Sequence, residues 1–316
     1  MMLTKKHKKW LNDRFGNQVR FNEPMSRHTS LRVGGPADAY IAPNNPADLG
    51  ALCQWCRQNN LPRLIVGNGT NLLVLDGGIG GIVISLKHCC RARQLTRNEN
   101  GRGQIVAGAA IPLSALCNDA IRHGLKGLNF ALGIPGTLGG AIMMNTGTVS
   151  GCMGDVITQV TVLTAAGEIR HYGKKALTFE YRRMTWNPEF IAATADLPLI
   201  LEGTLQLAIA DGTELKSEAE AILKHRAKSQ PLHRWSAGSF FKNPPSGPTA
   251  GQLIDQAGLK GTQVGGARIS EHHANWIVNT GKATATDVIQ LKDLIQSTVS
   301  DLYTVDLEPE VQIVGT

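Results

Sequence analysis

GIPGTLGGAIMMNTG occupies residues 133–147. Five of these fifteen positions are glycine: Gly133, Gly136, Gly139, Gly140 and Gly147. A glycine in a helix or strand costs about 0.5–1 kcal/mol relative to alanine, so a chain that repeats it needs its backbone bare. The pattern predicts backbone lying against a large flat or phosphorylated ligand rather than a generic core. Two other stretches belong beside it. VGNGTNLLVLDGG, residues 66–78, follows directly on a predicted strand. It contains G-x-G, but Leu72 stands where the dinucleotide fingerprint requires its third glycine and no helix follows, so a doubly wound dinucleotide fold fails on sequence and on context. A plain turn and a backbone nest for a diphosphate both remain open for this stretch. TSLRVGG, residues 29–35, sets Arg32 beside Gly34 and Gly35 and by itself indicates little.

The chain has 316 residues, 18% charged and 42% hydrophobic, enough for two folded domains and unlike a disordered segment. Its net charge of +7 is partly local, because Lys5, Lys6, Lys8, Lys9, Arg14 and Arg20 oppose only Asp13 in the first twenty residues. That reads as a solvated end. No basic stripe with interleaved aromatics follows, so anionic small ligands are expected and nucleic acid is not. With no apolar leader and no run of about 18 apolar residues, neither membrane insertion nor export is expected, and the location expected is cytoplasmic. The six cysteines do not read as a disulfide framework in a chain of this size. Cys53 and Cys56 have redox-motif spacing but share a helix face with Leu49 and Leu52, and Cys117 shares one with Leu113 and Leu116. His272 and His273 have no further ligands at metal spacing, so no metal is expected.

Residues 37–86 read as strand, helix, strand, turn, strand, turn, strand, with the helix starting near Pro46 and ending near Asn59. A strand at GQIVAGAAI and a helix from Pro112 to Gly124 follow, then the glycine-rich span, too punctuated for one helix. VITQVTVLTAAGEIRHY predicts a hairpin turning at Gly167, and LILEGTLQLAI another strand. This makes an α+β domain over residues 1–210, with subdomains of about 20–90 and 91–210. A second α+β domain is expected over 211–316: a helix at ELKSEAEAILKHRAKSQ, strands at GSFFKN and HHANWIVN, a helix with Val288, Leu291, Ile295 and Leu302 on one stripe, and a strand-like tail that packs back.

Taken in order, TSLRVGG, GNGTNLLV, LGIPGTLGGAIMMNTG, YRRM, GSFFKNP, HHANWIVN and the terminal EPEV resemble the UDP-N-acetylenolpyruvoylglucosamine reductase family, flavoproteins of peptidoglycan precursor synthesis. The resemblance runs from about residue 20 to the end. It implies an FAD-binding fold of the vanillyl-alcohol oxidase/PCMH type with a smaller substrate-binding domain, non-covalent FAD, NADPH as co-substrate and a monomer. Carried onto this chain, Val66, Gly67, Asn68, Gly69, Thr70 and Asn71 form the pyrophosphate turn. Gly133, Ile134, Pro135, Gly136, Thr137, Gly139, Gly140 and Asn145 wrap the rest of FAD, with Arg32 close by. Where the family shows Asn-Ala-Gly-Ala-Tyr-Gly, this chain has NTGTVSG.

The family chemistry passes hydride from NADPH to flavin N5, then to C3 of the enolpyruvyl ether of UDP-N-acetylglucosamine enolpyruvate. Negative charge then develops at C2 and spreads into the carboxylate, and C2 must be protonated. Arg182 is implied to hold the carboxylate and the developing charge, selected over Arg183 only by the family's Tyr-Arg pair. Ser239 is implied as the proton donor to C2. Glu310 is the third member, chosen over Glu308 by the Pro-Glu-Val match, with Glu308 facing solvent. Asn243 and Lys242 are implied to bind the diphosphate or sugar. About 55 residues separate Arg182 from Ser239, as in the shorter subtype that lacks a tyrosine-bearing loop over the substrate.

Overall fold

The computed structural model describes residues 3–97, 102–190 and 197–316. Its first sheet has four strands. Pro36–Ile41 pairs antiparallel with Val19–Pro24 and parallel with Ile79–Ser85, which pairs parallel with Arg63–Val66. The crossover is the helix Pro46–Gln58, where sequence and structure agree closely. Asn45 caps it by accepting from the Asp48 N–H at 2.8 Å, Pro46 opens it, and Leu49, Leu52 and Cys56 make its buried face. Where Arg63–Val66 ends, the chain enters the turn 67–71.

The second sheet is centred on Leu199–Ile209, flanked by Ile157–Leu163 on one side and Arg102–Gly108 on the other. Ile157–Leu163 and Ile169–Gly173 form the expected hairpin, with Gly167 at φ +84°. The glycine-rich span is broken as expected, into a one-turn 3-10 helix Asn129–Ala131, a short helix Leu138–Met143 and a ribbon of Gly147–Thr148 with Gly151–Cys152. That helix lies directly on the sheet. A Cβ added at Gly203 would stand 2.9 Å from the Ile142 side chain, so the strand must be bare where the helix crosses it. Leu138, Ile142, Ile157 and Leu205 all join one large core with the first sheet's helix.

The smaller unit is a four-stranded antiparallel sheet ordered Trp235–Ser236, Ile277–Asn279, Ala267–Ile269, Gln263–Val264. The helices Ala250–Gln256 and Ala285–Tyr303 cover it through Leu253, Ile254, Val288, Leu291 and Ile295. Three expectations are corrected here. GSFFKN forms no regular strand; only Phe241 makes an isolated bridge, to Pro309. Its backbone is satisfied instead by Asn275, whose side chain takes the Phe241 N–H at 2.9 Å and gives to the Phe241 carbonyl at 2.8 Å. In HHANWIVN only Ile277–Asn279 is a strand, because residues 273–276 turn back on the His273 carbonyl. Leu302 leaves the buried stripe and is exposed, while Val299 closes it.

The helix Gly212–Ser229, expected to open the small unit, packs on the large core through Ala219 and Ile222. In return, Leu31, Val33 and Leu73 are buried in the small unit's core. The tail adds Gln312–Val314 as a strand parallel to Leu72–Val74. Asp76, just past that strand, caps the helix Ala285–Tyr303 from outside, accepting from the N–H groups of Ala285 at 2.8 Å and Thr286 at 2.9 Å and from the Thr286 hydroxyl at 2.7 Å. Among the described residues no helix is long and apolar enough to cross a membrane.

Candidate active site

A cleft of about 2200 Å³ runs between the first sheet, the second sheet and the small unit. Residues 66–71 and 134–137 line it, as do Gly139, Gly140 and Asn145. The two turns touch: the Thr70 hydroxyl gives to the Pro135 carbonyl at 3.3 Å, and a Cβ on Gly67 would come within 2.6 Å of Thr137 Oγ1. Among the described residues no acceptor takes the N–H groups of Asn68, Gly69 or Thr70. Among them, too, buried Arg226 Nε, Gln230 Oε1 and Trp276 Nε1 have no hydrogen-bond partner, and all three residues line the cleft. Unengaged amides beside a roomy, glycine-lined cleft suit a diphosphate and a flat ring, so the residues present fit FAD.

The two ends of the Asn145 amide are already used, giving to the Glu180 carbonyl at 2.8 Å and accepting from the Gly154 N–H at 2.9 Å. Asn145 therefore fixes the hairpin Leu177–Glu180/Arg183–Trp186 to the glycine segment. Two expected cradle residues stand elsewhere. Arg32 is exposed and outside the cleft, because its left-handed φ of +57° lies between buried Leu31 and Val33 and turns the side chain to solvent. Gly133 is set back from the cleft and accommodates Arg226, whose Nη2 gives to the Gly133 carbonyl at 3.3 Å.

Arg182 sits at the tip of that hairpin with φ +58°, a sparsely populated conformation for a side chain of its size. Its Nη1 gives to the Gly147 carbonyl at 2.8 Å, and its Nε lies 3.0 Å from Glu310 Oε1, an ion pair in which the N–H is not aimed along the contact. Both side chains are largely buried, 21% and 17% exposed, whereas Arg183 is exposed. Burial pushes the Glu310 carboxyl above its usual range, opposed by the guanidinium of Arg182 and by Lys242. Glu308 is 70% exposed and pairs with Lys242 Nζ at 2.5 Å.

Ser239 lines the cleft, and among the described residues its hydroxyl has no hydrogen-bond partner. It is locked in place through its neighbour: the Phe240 N–H gives to the Asn275 carbonyl and the Phe240 carbonyl accepts from the Glu310 N–H, each at 2.8 Å. Asn71 closes the arrangement by giving its amide to the Glu310 carbonyl at 3.0 Å. The turn 66–71 thus touches the Glu310 segment directly. Lys242 and Asn243 line the same cleft, with Asn243 Oδ1 accepting from the Ala250 N–H at 3.1 Å. Tyr181, Arg226, Gln230 and Trp276 were not singled out from sequence. Tyr181 packs its ring 5.1 Å from the Arg182 guanidinium carbon and accepts from the Asn243 N–H at 3.4 Å. Tyr181 adjoins Arg182 in the Tyr-Arg pair and Trp276 lies within HHANWIVN, whereas Arg226 reaches the glycine segment only through its contact with the Gly133 carbonyl. Among the described residues no group of three or more His, Cys, Asp or Glu could hold a metal.

Comparison with known proteins agrees with this geometry. Residues 37–173 match a family model described as an FAD binding domain, and residues 230–314 match one described as UDP-N-acetylenolpyruvoylglucosamine reductase, C-terminal domain. The second match starts after the helix Gly212–Ser229. The chain is 45% identical over 308 residues to the UDP-N-acetylenolpyruvoylglucosamine reductase of Desulfosudis oleivorans, covering 98% of each, and 42% identical to that of Heliobacterium modesticaldum, covering 95% of this chain and 92% of the other. The crystal structure of the Thermus caldophilus UDP-N-acetylenolpyruvylglucosamine reductase superposes with a TM-score of 0.74 at 34% identity, over 94% of this chain and 98% of that one. The fold is the α+β, FAD-binding fold of the vanillyl-alcohol oxidase/PCMH type with a smaller mixed unit. This chain belongs to the UDP-N-acetylenolpyruvoylglucosamine reductase family, and is a flavin-dependent oxidoreductase.

Proposed function

We propose that this chain uses NADPH to reduce UDP-N-acetylglucosamine enolpyruvate to UDP-N-acetylmuramate, with Arg182, Ser239 and Glu310 as its catalytic residues. Residues 66–71, 134–137, 139 and 140 would hold FAD, which when bound would supply the hydride equivalent needed at C3 of the enolpyruvyl ether. The protein's own work is at C2 and the carboxylate. Arg182 faces the carboxylate, where a planar, permanently charged fork both orients the group and stabilises the negative charge that grows on it. Ser239 gives its hydroxyl proton to C2, completing the saturated lactyl ether, and is reprotonated from solvent. An alkanol is a weak acid, but the enolate carbon is a strong base, so the transfer runs downhill. Glu310, held in its carboxylic acid form more readily than an exposed glutamate, gives a hydrogen bond to the enolate oxygen. Lys242 and Asn243 hold the diphosphate and sugar.

The observation that carries this reading is the Ser239 hydroxyl, unengaged among the described residues, in the same cleft as the Arg182–Glu310 pair and the glycine cradle. The test is an anaerobic two-step absorbance experiment. NADPH should bleach the bound flavin, and the enolpyruvyl nucleotide should restore its colour with one equivalent of UDP-N-acetylmuramate formed. Restoration by oxygen alone, with the nucleotide unchanged, would refute the reading.

A further inference from the structure

In TSLRVGG, Arg32 is exposed, and it is Ser30 that makes contacts to the cleft turn and to the segment leading to Ser239. The Ser30 N–H gives to the Gly69 carbonyl at 3.0 Å, inside the turn that lines the cofactor end of the cleft. Its hydroxyl lies 2.6 Å from the Ser236 carbonyl, against 3.5 Å and 3.4 Å from the carbonyls of Gly69 and Thr70. A hydroxyl has one proton to give, and the shortest contact takes it. Ser236 is the last residue of the strand Trp235–Ser236, and only Ala237 and Gly238 separate it from Ser239. Gly238 turns the chain between them at φ +81°. Ser239 is therefore held from both sides, by the Ser30–Ser236 contact three residues upstream and by the Phe240 backbone one residue downstream.

The loop that carries Ser30 is itself stiff. Buried Thr29 gives its hydroxyl to the Val33 carbonyl at 2.8 Å, and Leu31 and Val33 are sunk in the small unit's core. Asn279 ties the same loop down by giving to the Leu31 carbonyl at 3.0 Å.

We propose that Ser30 is a positioning residue that sets the distance between the cofactor turn and Ser239, its N–H holding Gly69 and its hydroxyl holding Ser236. This rests on the role given above to Ser239. Removal of the hydroxyl leaves the backbone bond to Gly69 intact, so cofactor binding and proton delivery should separate.

Two measurements on the flavin-loaded protein test this. In the Ser30→Ala variant, FAD affinity and the rate of bleaching by NADPH should change less than about threefold, while recovery of colour with the enolpyruvyl nucleotide slows tenfold or more and acquires a larger solvent deuterium isotope effect. Ser30→Thr, which keeps the hydroxyl, should restore the rate. Equal slowing of both steps, loss of FAD, or no change in either would overturn the proposal. The second measurement is hydrogen exchange of the amides from Ala237 to Phe240, which should quicken in Ser30→Ala and not in Ser30→Thr. It needs no substrate, so it tests the tether even if the wild type proves unable to reduce the nucleotide, and unchanged exchange would refute it. Should Ser30→Ala fail to fold, Ser30→Cys, a weaker donor, should show the same ordering of effects, and wild-type behaviour in it would count against the tether.

Discussion

Removing the Asp76 carboxylate should loosen the small unit from the large one by an amount the structure allows to be worked out. The helix Ala285–Tyr303 begins with four N–H groups that have no partner within the helix. Thr284 and Asp287 satisfy two in a reciprocal capping box, Thr284 Oγ1 taking the Asp287 N–H at 3.1 Å and Asp287 Oδ2 taking the Thr284 N–H at 3.0 Å. The other two belong to Ala285 and Thr286, and both point at Asp76 across the junction. Loss of a cap costs about 0.5–2 kcal/mol, and Asp76 is solvent-exposed, which weakens its electrostatic share, so Asp76→Ala should cost about 1–2 kcal/mol. In a unit of this size that lowers the thermal midpoint by about 4–16 °C. Burial pushes the Asp76 carboxyl up, but the N–H groups of Ala285 and Thr286 and the Thr286 hydroxyl together bring it below its usual range. A carboxyl with a depressed folded pKa contributes stability above its unfolded value, about 3.9, and loses it as pH falls through the folded value. Wild type and Asp76→Ala should thus differ at pH 7 and converge in acid. Thermal unfolding followed by flavin fluorescence and far-ultraviolet circular dichroism reads both effects. A difference below about 0.5 kcal/mol at pH 7, or one that widens in acid, would refute the reasoning.

Two further outcomes follow from the cleft. Burial raises the Glu310 carboxyl, so colour recovery with the nucleotide should slow as pH rises through that raised value; Glu310→Gln should lose this pH limb and about 10²-fold in rate, and a limb unchanged in the variant would exclude Glu310 as its source. Gly69 has φ +61° and a Cβ there would meet the His28 carbonyl at 1.9 Å, so Gly69→Ala should weaken FAD binding tenfold or more by fluorescence titration, whereas Gly167→Ala, with φ +84° and open space around it, should bind FAD normally and lose only about 1 kcal/mol of stability.

The sequence was most informative where function forces an unusual composition. The glycines at 67, 69, 136, 139 and 140 stand out because each cleft wall needs bare backbone, and Pro46 and Asn45 mark a helix start through local chemistry alone. It was least informative where a residue's role depends on a partner far along the chain. Ser30 and Ser236 are 206 positions apart, and Arg226 reaches Gly133 across 93. The amphipathic pattern of Gly212–Ser229 shows that one face is buried but not in which core. GSFFKN has strand-like composition, yet a buried amide on Asn275 supplies the hydrogen bonds that a neighbouring strand would have given. Arg32 followed the motif, and its backbone turned it outward.

Reduction requires a proton at C2, and the role proposed for the Ser239 hydroxyl is to supply it. Rapid-mixing absorbance of Ser239→Ala, loaded with FAD and mixed first with NADPH and then with the enolpyruvyl nucleotide, tests it directly. Bleaching at the wild-type rate followed by colour recovery slowed at least 10³-fold is the predicted result. Recovery at the wild-type rate would contradict it.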